Sequence, residues 1–214
     1  MHKLELMRVR IPDQADVVVG KVRRFFDFLS NNSGITEEYL YTHQPTQADR
    51  IPVYSTSRRP VGYLDDNEEV RDEFNVVDGP AIVVARKGYA GRLFCVPEGP
   101  FIVHEDAYPI RPKVEYVAKI DLKWFAEHYS AEFESGRTSF WGIGDFPRTK
   151  CKDMVVNVPP MEFQKRVGVL YERRRDIIEA IENYKARADE SVTAMLREYG
   201  EKDLVDRISA ALDE

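Results

Sequence analysis

A chain of 214 residues with 43% hydrophobic and 32% charged side chains has room for one core of ordinary size plus an appendage, or for two small domains. It contains no apolar run of about 18 residues, which excludes a membrane-spanning helix, and its start, MHKLELMRVRIPD, lacks the apolar centre of a secretory signal, so a cytoplasmic protein is expected. The net charge of −6 argues against a uniformly basic surface of the kind that neutralises phosphates.

Acidic residues concentrate in residues 65–73 and in the C-terminal tail, whereas Arg58, Arg59, Arg86, Lys87 and Arg92 sit in short segments bearing Gly, Ser and Tyr. A local basic face on an acidic protein is therefore compatible with the charge balance. Cys95 and Cys151 are too few and too far apart for a zinc site or a disulfide framework, and both read as packing residues.

In chain order, residues 1–157 alternate β-type runs with turn signals. VRRFFDF, IPVYSTS, AIVVARKGYAG, RLFCV and FIVHEDAYPI are separated by NNSG, DDNEE, DGP and PEGP, which predicts a strand-rich α/β (α+β) domain with a twisted sheet and flanking helices. Two helices interrupt the strands. One begins at Thr36, whose hydroxyl can cap free backbone N–H groups while Glu37 and Glu38 favour the positive helix end. The other is DLKWFAEHYSAEF, where Leu122, Phe125, Ala126, Tyr129 and Phe133 recur at helical spacing and predict an apolar face packed on the sheet.

From Pro159 the period changes. Pro159 and Pro160 suit the opening of a helix, and Phe163, Val167, Leu170, Ile177, Ile181, Tyr184, Ala188 and Met195 then follow steps of four and three, with Arg174 and Ser191 interrupting the seam. This is a heptad pattern. Only Gly168 intervenes before Gly200, so about 40 residues predict a rod of roughly 60 Å. A seam of that length is buried only against another helix, which makes residues 158–214 a helical spacer and dimerisation region. A shorter amphipathic piece with Leu204, Val205, Ile208 and Leu212 follows.

The ordered series NNSGITEEYLY, IPVYSTSRRPVGYL, GPAIVVARKGYAGRLF, GPFIVHEDAYPI, IDLKWFAEHY and VNVPPMEFQKRVGVL resembles the target-recognition domains of the specificity (S) subunits of type I restriction-modification systems. The most telling pieces are IPVYSTS, ARKGYAG, EDAYPI and the V-x-V-P-P-x-x-x-Q lead into the long helix. The resemblance implies a domain that grips one part of a split double-stranded DNA site, joined to a spacer helix. It also implies a methyltransferase (M) subunit as partner and, through the complex, a restriction (R) subunit. S-adenosylmethionine and ATP would bind those partners, so no cofactor is expected here. Family members carry two recognition domains and two spacers, whereas each occurs once in this sequence. That departure predicts pairing through the long helix, either with a second copy or with a different half subunit.

The resemblance directs attention to three polar segments. Ser55, Thr56, Ser57, Arg58 and Arg59 place hydroxyls and two forked donors in one turn, and arginine can pair bidentately with guanine while hydroxyls serve bases or phosphates. Arg86, Lys87 and Tyr89 lie in a stretch whose glycines allow a tight bend or a close approach to a ligand, equally the make-up of a hairpin turn. Thr138 and Ser139 belong to a polar, glycine-bearing run that also includes Trp141.

His104, Glu105 and Asp106 invite a catalytic or metal-binding reading, but neighbours on one strand point to opposite faces and do not converge. No motif of a hydrolase, a P-loop protein, a nuclease or a methyltransferase is present, so neither catalytic nor metal-binding residues are expected. The sequence thus favours a non-catalytic DNA-recognition subunit. Its rivals are an enzyme built on the cluster His104, Glu105 and Asp106, a recognition domain serving a type II methyltransferase-nuclease, and a coiled-coil adaptor or inhibitor without DNA binding.

Overall fold

The run AIVVA is buried at all five positions, the pattern of a strand covered on both faces, and the fold is built around it. The computed structural model describes residues 12–96, 98–140 and 143–198, and the chain divides into two units, Met1–Gly168 and Val169–Glu214. The first unit opens with β1 (Val18–Lys21), α1 (Val22–Phe25), β2 (Phe26–Phe28), α2 (Glu37–Thr42), β3 (Arg50–Tyr54), β4 (Gly62–Asp65), α3 (Glu68–Glu73) and β5 (Val76–Asp78). It continues with β6 (Ala81–Ala85), β7 (Leu93–Val96), β8 (Pro100–Val103), β9 (Ala107–Pro112), α4 (Leu122–Ser135), β10 (Thr138–Phe140), β11 (Ile143–Asp145), α5 (Arg148–Asp153) and β12 (Val155–Val158). The last helix, α6 (Met161–Glu198), begins in the first unit and continues into the second.

Two four-stranded sheets run in the orders β2-β9-β6-β7 and β4-β3-β8-β5. The first is antiparallel throughout, and in the second β3 and β8 are parallel. Alternation along β6 explains how the layers meet. Ala81 and Val83 join Val77, Phe94, Val96, Phe101, Val103 and Ala107 in a core drawn from both sheets, so Ile82 and Val84 point to the opposite face.

That face is covered by α4, which lies against β7 and β6 and sets the Phe125 ring 4.8 Å from that of Phe26. The helix expected over DLKWFAEHYSAEF is therefore present and packs as its spacing requires, with Phe125, Ala126, Tyr129 and Phe133 buried. On the far side of the second sheet, Leu40 of α2 and Phe74 after α3 close over Ile35, Ile51, Val53, Leu64 and Ile102. The observed architecture is mixed α/β.

Three local expectations need correction. FIVHEDAYPI is not one strand: β8 and β9 belong to different sheets, and His104, Glu105 and Asp106 turn the chain between them. The turn is held by the N–H of Ala107 on the His104 carbonyl and by the N–H of Asp106 on His104 Nδ1, at 3.0 and 3.2 Å. VRRFFDF begins as one helical turn because Val22 and Phe25 are buried at a spacing of three while Arg23 and Arg24 reach solvent. DDNEE runs into α3, where the Asn67 side chain accepts from Val70 N at 2.9 Å. Thr36 caps α2 in the same way, as expected, accepting from Tyr39 N at 3.0 Å.

The start of α6 is fastened to the first unit by one side chain. The Pro160 carbonyl accepts from the N–H groups of Phe163 and Gln164, so the two prolines stand just ahead of the helix. Gln164 is fully buried. Its Oε1 accepts from Asp121 N at 2.8 Å, and its Nε2 donates to the carbonyls of Lys119 and Pro159 at 2.7 and 2.6 Å. Asp121 in turn caps α4 through Trp124 N, so one glutamine links the beginnings of two helices.

At 38 residues, α6 is roughly 57 Å long. Phe163 and Val167 are half-buried, while Leu170, Ile177, Ile181, Tyr184 and Ala188 are exposed. Met195 lies within the helix. Gly200, Leu204, Val205, Ile208 and Leu212 fall outside the described residues. Among the described residues no helix is long and apolar enough to cross a membrane.

Candidate nucleic-acid interface

Residues 86–92 join β6 to β7 in an antiparallel hairpin. Gly88 and Gly91 have φ of +64° and +89°, a region L side chains rarely adopt, so the hairpin reading of ARKGYAG holds. The close approach that Gly91 permits is internal: a Cβ there would lie 2.5 Å from the Phe133 carbonyl oxygen of α4. Tyr89 is 56% exposed, and the Arg92 guanidinium sits 3.9 Å over its ring, a cation–π contact that occupies one face of the aromatic group.

Two further segments meet this hairpin. Asp106, at the β8–β9 turn, accepts on its carbonyl from the N–H groups of Arg86 and Lys87 at 2.7 and 3.1 Å, and its carboxylate faces Lys87 Nζ at 3.2 Å. Asp145, ending β11, bridges to Lys87 and faces Arg86 Nε at 3.6 Å. Thr138 pairs with Asp145 and Ser139 with Gly144, and Thr138 Oγ1 donates to the Asp145 carbonyl at 3.0 Å. The structure therefore brings Arg86, Lys87 and Tyr89 together with the strand carrying Thr138 and Ser139. Trp141 lies outside the described residues.

Ser55, Thr56 and Ser57 form the turn after β3, half-buried, with Arg58 and Arg59 exposed. Ser57 Oγ donates to the Arg59 carbonyl at 2.9 Å, which spends its proton inside the turn. Arg58 Nη2 donates to the Glu127 carboxylate of α4. Glu127, Ser130 and Glu134 lie three and four residues apart and share one face of that helix. They meet, in order, Arg58, the N–H of Leu93 at 3.1 Å, and Arg92 at 3.8 Å. This face of α4 thus ties the β3 turn and the β6–β7 hairpin to one support beside the edge strand β7.

Each of Arg58, Arg86, Lys87 and Arg92 faces a carboxylate, and only Arg59 of the candidate cations has no ionic partner among the described residues. The local basic face consistent with the sequence is thus a charge-compensated one. The sequence does not show that its carboxylates, Asp106, Glu127, Glu134 and Asp145, partner these cations, nor does it show the support beneath the β8–β9 turn. There Asn31 Nδ2 donates to the carbonyls of Glu105 and Ala107 at 3.2 and 2.8 Å, while its Oδ1 accepts from Arg148 at 2.9 Å. The doubled amide of NNSG was the available signal. Asn32 is buried and receives Asn75 N on its Oδ1 at 2.7 Å.

His104 and Asp106, two apart in the chain, face one another within the turn, with Nδ1 and Oδ2 3.4 Å apart. The pair is knit into its own turn and to Lys87, and among the described residues no three His, Cys, Asp or Glu side chains are placed to hold a metal ion. Burial pushes the Cys95 thiol up to about 11 and the Cys151 thiol up to about 12. Because the thiolate is the nucleophile, both cysteines should stay unmodified by iodoacetamide in the native protein at pH 8 and react once it is unfolded in guanidinium. Mass spectrometry reads the result, and rapid native labelling of Cys151 would contradict the packing assignment.

No protein-family model and no curated protein matches the sequence. Solved structures match the fold. The S subunit of the type I restriction-modification system from M. genitalium superposes with a TM-score of 0.53 at 15% identity over 81% of this chain and 44% of that one. A chain from a study of complex assembly and conformational transition in the type I restriction-modification system gives 0.62 at 10% identity, over 87% and 45%. The chain carries the fold of a type I S subunit. The HsdS subunit from Thermoanaerobacter tengcongensis gives 0.55 at 9% identity, over 82% and 41%. The chain therefore spans less than half the length of each of these chains.

Proposed function

We propose that this chain is a non-catalytic DNA-recognition unit of a type I restriction-modification system. It binds one half of a bipartite site and positions a methyltransferase subunit and, through it, a restriction subunit. The observation that carries this reading is the match of over four-fifths of the chain to S-subunit folds. The convergence of Arg86, Lys87, Tyr89 and Thr138 with the β8–β9 turn supports it, since a few forked donors and hydroxyls on rigid hairpins are what base and phosphate contacts need. Arg59 adds a cation that has no ionic partner among the described residues. The chemistry of methylation and cleavage, with S-adenosylmethionine and ATP, belongs to the partner subunits.

With its cations largely balanced by carboxylates, the chain alone should bind DNA weakly and gain affinity with the methyltransferase subunit, which supplies further positive surface. Anisotropy titrations of a duplex with the chain, with and without that subunit, test this across a salt series, because phosphate contacts reveal themselves in the salt slope. Tight sequence-specific binding by the lone chain would contradict the shared-interface reading, and no DNA binding by the complex would contradict the function.

The exposed stripe Leu170, Ile177, Ile181 and Tyr184 supports pairing of two chains through α6, the isologous arrangement common among identical subunits. Each such Leu or Ile buried is worth about 1.5–3 kcal/mol. The double variant Leu170→Glu, Ile181→Glu should therefore be monomeric by light scattering, with the recognition domain still folded by near-ultraviolet circular dichroism. A wild-type chain that is monomeric at tens of micromolar, alone and with the methyltransferase subunit, points instead to a different half subunit as partner.

A further inference from the structure

The two arginines in the candidate turns present their guanidinium groups differently. Glu127 takes Nη2 of Arg58, one of the two terminal nitrogens that an end-on pairing with a base would use. Asp145 instead faces Nε of Arg86, at 3.6 Å. That leaves the terminal fork of Arg86 with no hydrogen-bond partner among the described residues, on a side chain 44% exposed.

The backbone below Arg86 is fixed from two directions: its N–H donates to the Asp106 carbonyl at 2.7 Å, and its carbonyl accepts from Phe146 N at 2.8 Å. Asp145 is equally held, between Thr138 across the β10–β11 pair and Lys87 across the isolated bridge, next to a fully buried Phe146. A forked donor whose backbone is anchored on both sides, and whose inner nitrogen lies 3.6 Å from a carboxylate on an equally anchored backbone, starts with its position set and has less freedom to lose on binding. The carboxylate also offsets part of the charge that would draw the side chain to any phosphate.

We propose that Arg86 reads a guanine and that Asp145 is its positioning residue. The assignment rests on the reading of the chain as a DNA-recognition unit, and names the base contacted by that site. Guanine is the base whose O6 and N7 acceptors accept both prongs of an arginine fork in the major groove. Arg58 is, by the same geometry, a strut that fastens the β3 turn to α4, because reading a base end-on would require it to release Glu127.

The test uses the full chain reconstituted with the methyltransferase subunit. A preferred duplex is selected from a randomised library, and each of its base pairs is then substituted in turn. Arg86→Lys keeps the charge and removes the fork. The wild-type complex should prefer one G·C pair by about 10-fold or more over the alternatives. In Arg86→Lys that preference should fall to near parity while the other positions keep theirs, and Asp145→Asn should weaken the same position alone. Both side chains are exposed, so thermal unfolding should be unchanged in either variant.

A selective wild-type complex whose preferences survive both substitutions overturns the assignment. So does a uniform loss of affinity for all duplexes with a flatter salt slope, which marks a phosphate contact. A wild-type complex with no sequence preference at all overturns the recognition reading itself, and this assignment with it.

Discussion

Gly91→Ala should lower the stability of the chain by about 3 kcal/mol or more, combining the cost of a left-handed backbone, about 1–2 kcal/mol, with that of overpacking, about 1–3 kcal/mol. Gly91 has φ +89°, and the added Cβ would lie 2.5 Å from Phe133 O, 2.6 Å from Phe133 C and 2.7 Å from Glu134 N. All three are backbone atoms of α4, so relief requires moving the helix that covers the first sheet. Gly88→Ala is the internal control. It has φ +64° with nothing within 4 Å of the new methyl group, so it bears the backbone cost alone. For a protein of this size 1 kcal/mol moves the melting temperature by about 2–4 °C, which makes the difference between the two variants measurable by circular dichroism. Equal melting temperatures for the two would show that the hairpin does not seat on α4.

Gln164→Leu should be comparably damaging although its volume is similar. The substitution leaves the Asp121 N–H and the carbonyls of Lys119 and Pro159 without their partner. A buried polar group left unpaired costs about 1–3 kcal/mol. A loss of about 3 kcal/mol or more is expected, seen as a lower urea midpoint. Gln164→Glu should not rescue it, because a carboxylate accepts from Asp121 N but meets the two carbonyls as a like dipole. A midpoint unchanged from wild type in Gln164→Leu would remove Gln164 from its linking role.

The same two sites mark where sequence reasoning runs out. AIVVA, the cap at Thr36 and the apolar face of DLKWFAEHYSAEF were legible because each depends on neighbours within one element. Asn67 has the same cap chemistry as Thr36, but its acidic surroundings in DDNEE read equally as a turn. Gln164 stands in V-x-V-P-P-x-x-x-Q, yet its role was invisible, since its partners at Lys119 and Asp121 are more than forty residues away along the chain. The candidate interface divides likewise. Arg58, Arg59, Arg86 and Lys87 stand out by local charge and Tyr89 through the family resemblance, whereas Glu127, Asp106 and Asp145 come from three separate segments that only the fold brings to the arginines and the lysine.

FIVHEDAYPI shows the converse error. Two strands of different sheets read as one because the residues on either side of His104, Glu105 and Asp106 have the same apolar, β-branched character. The β character of both strands was legible, but the break between them lies in the turn's own hydrogen bonds. Those bonds place the Asp106 carbonyl where Arg86 and Lys87 can donate to it.

The most direct test of the recognition reading is to map methylated bases in DNA treated with the methyltransferase subunit in the presence and absence of this chain. Methylation should be confined to one defined sequence, lost when the chain is omitted and, for two identical chains paired through α6, palindromic with an unspecified spacer. Methylation that is the same with and without the chain, or scattered without sequence preference in its presence, would contradict it.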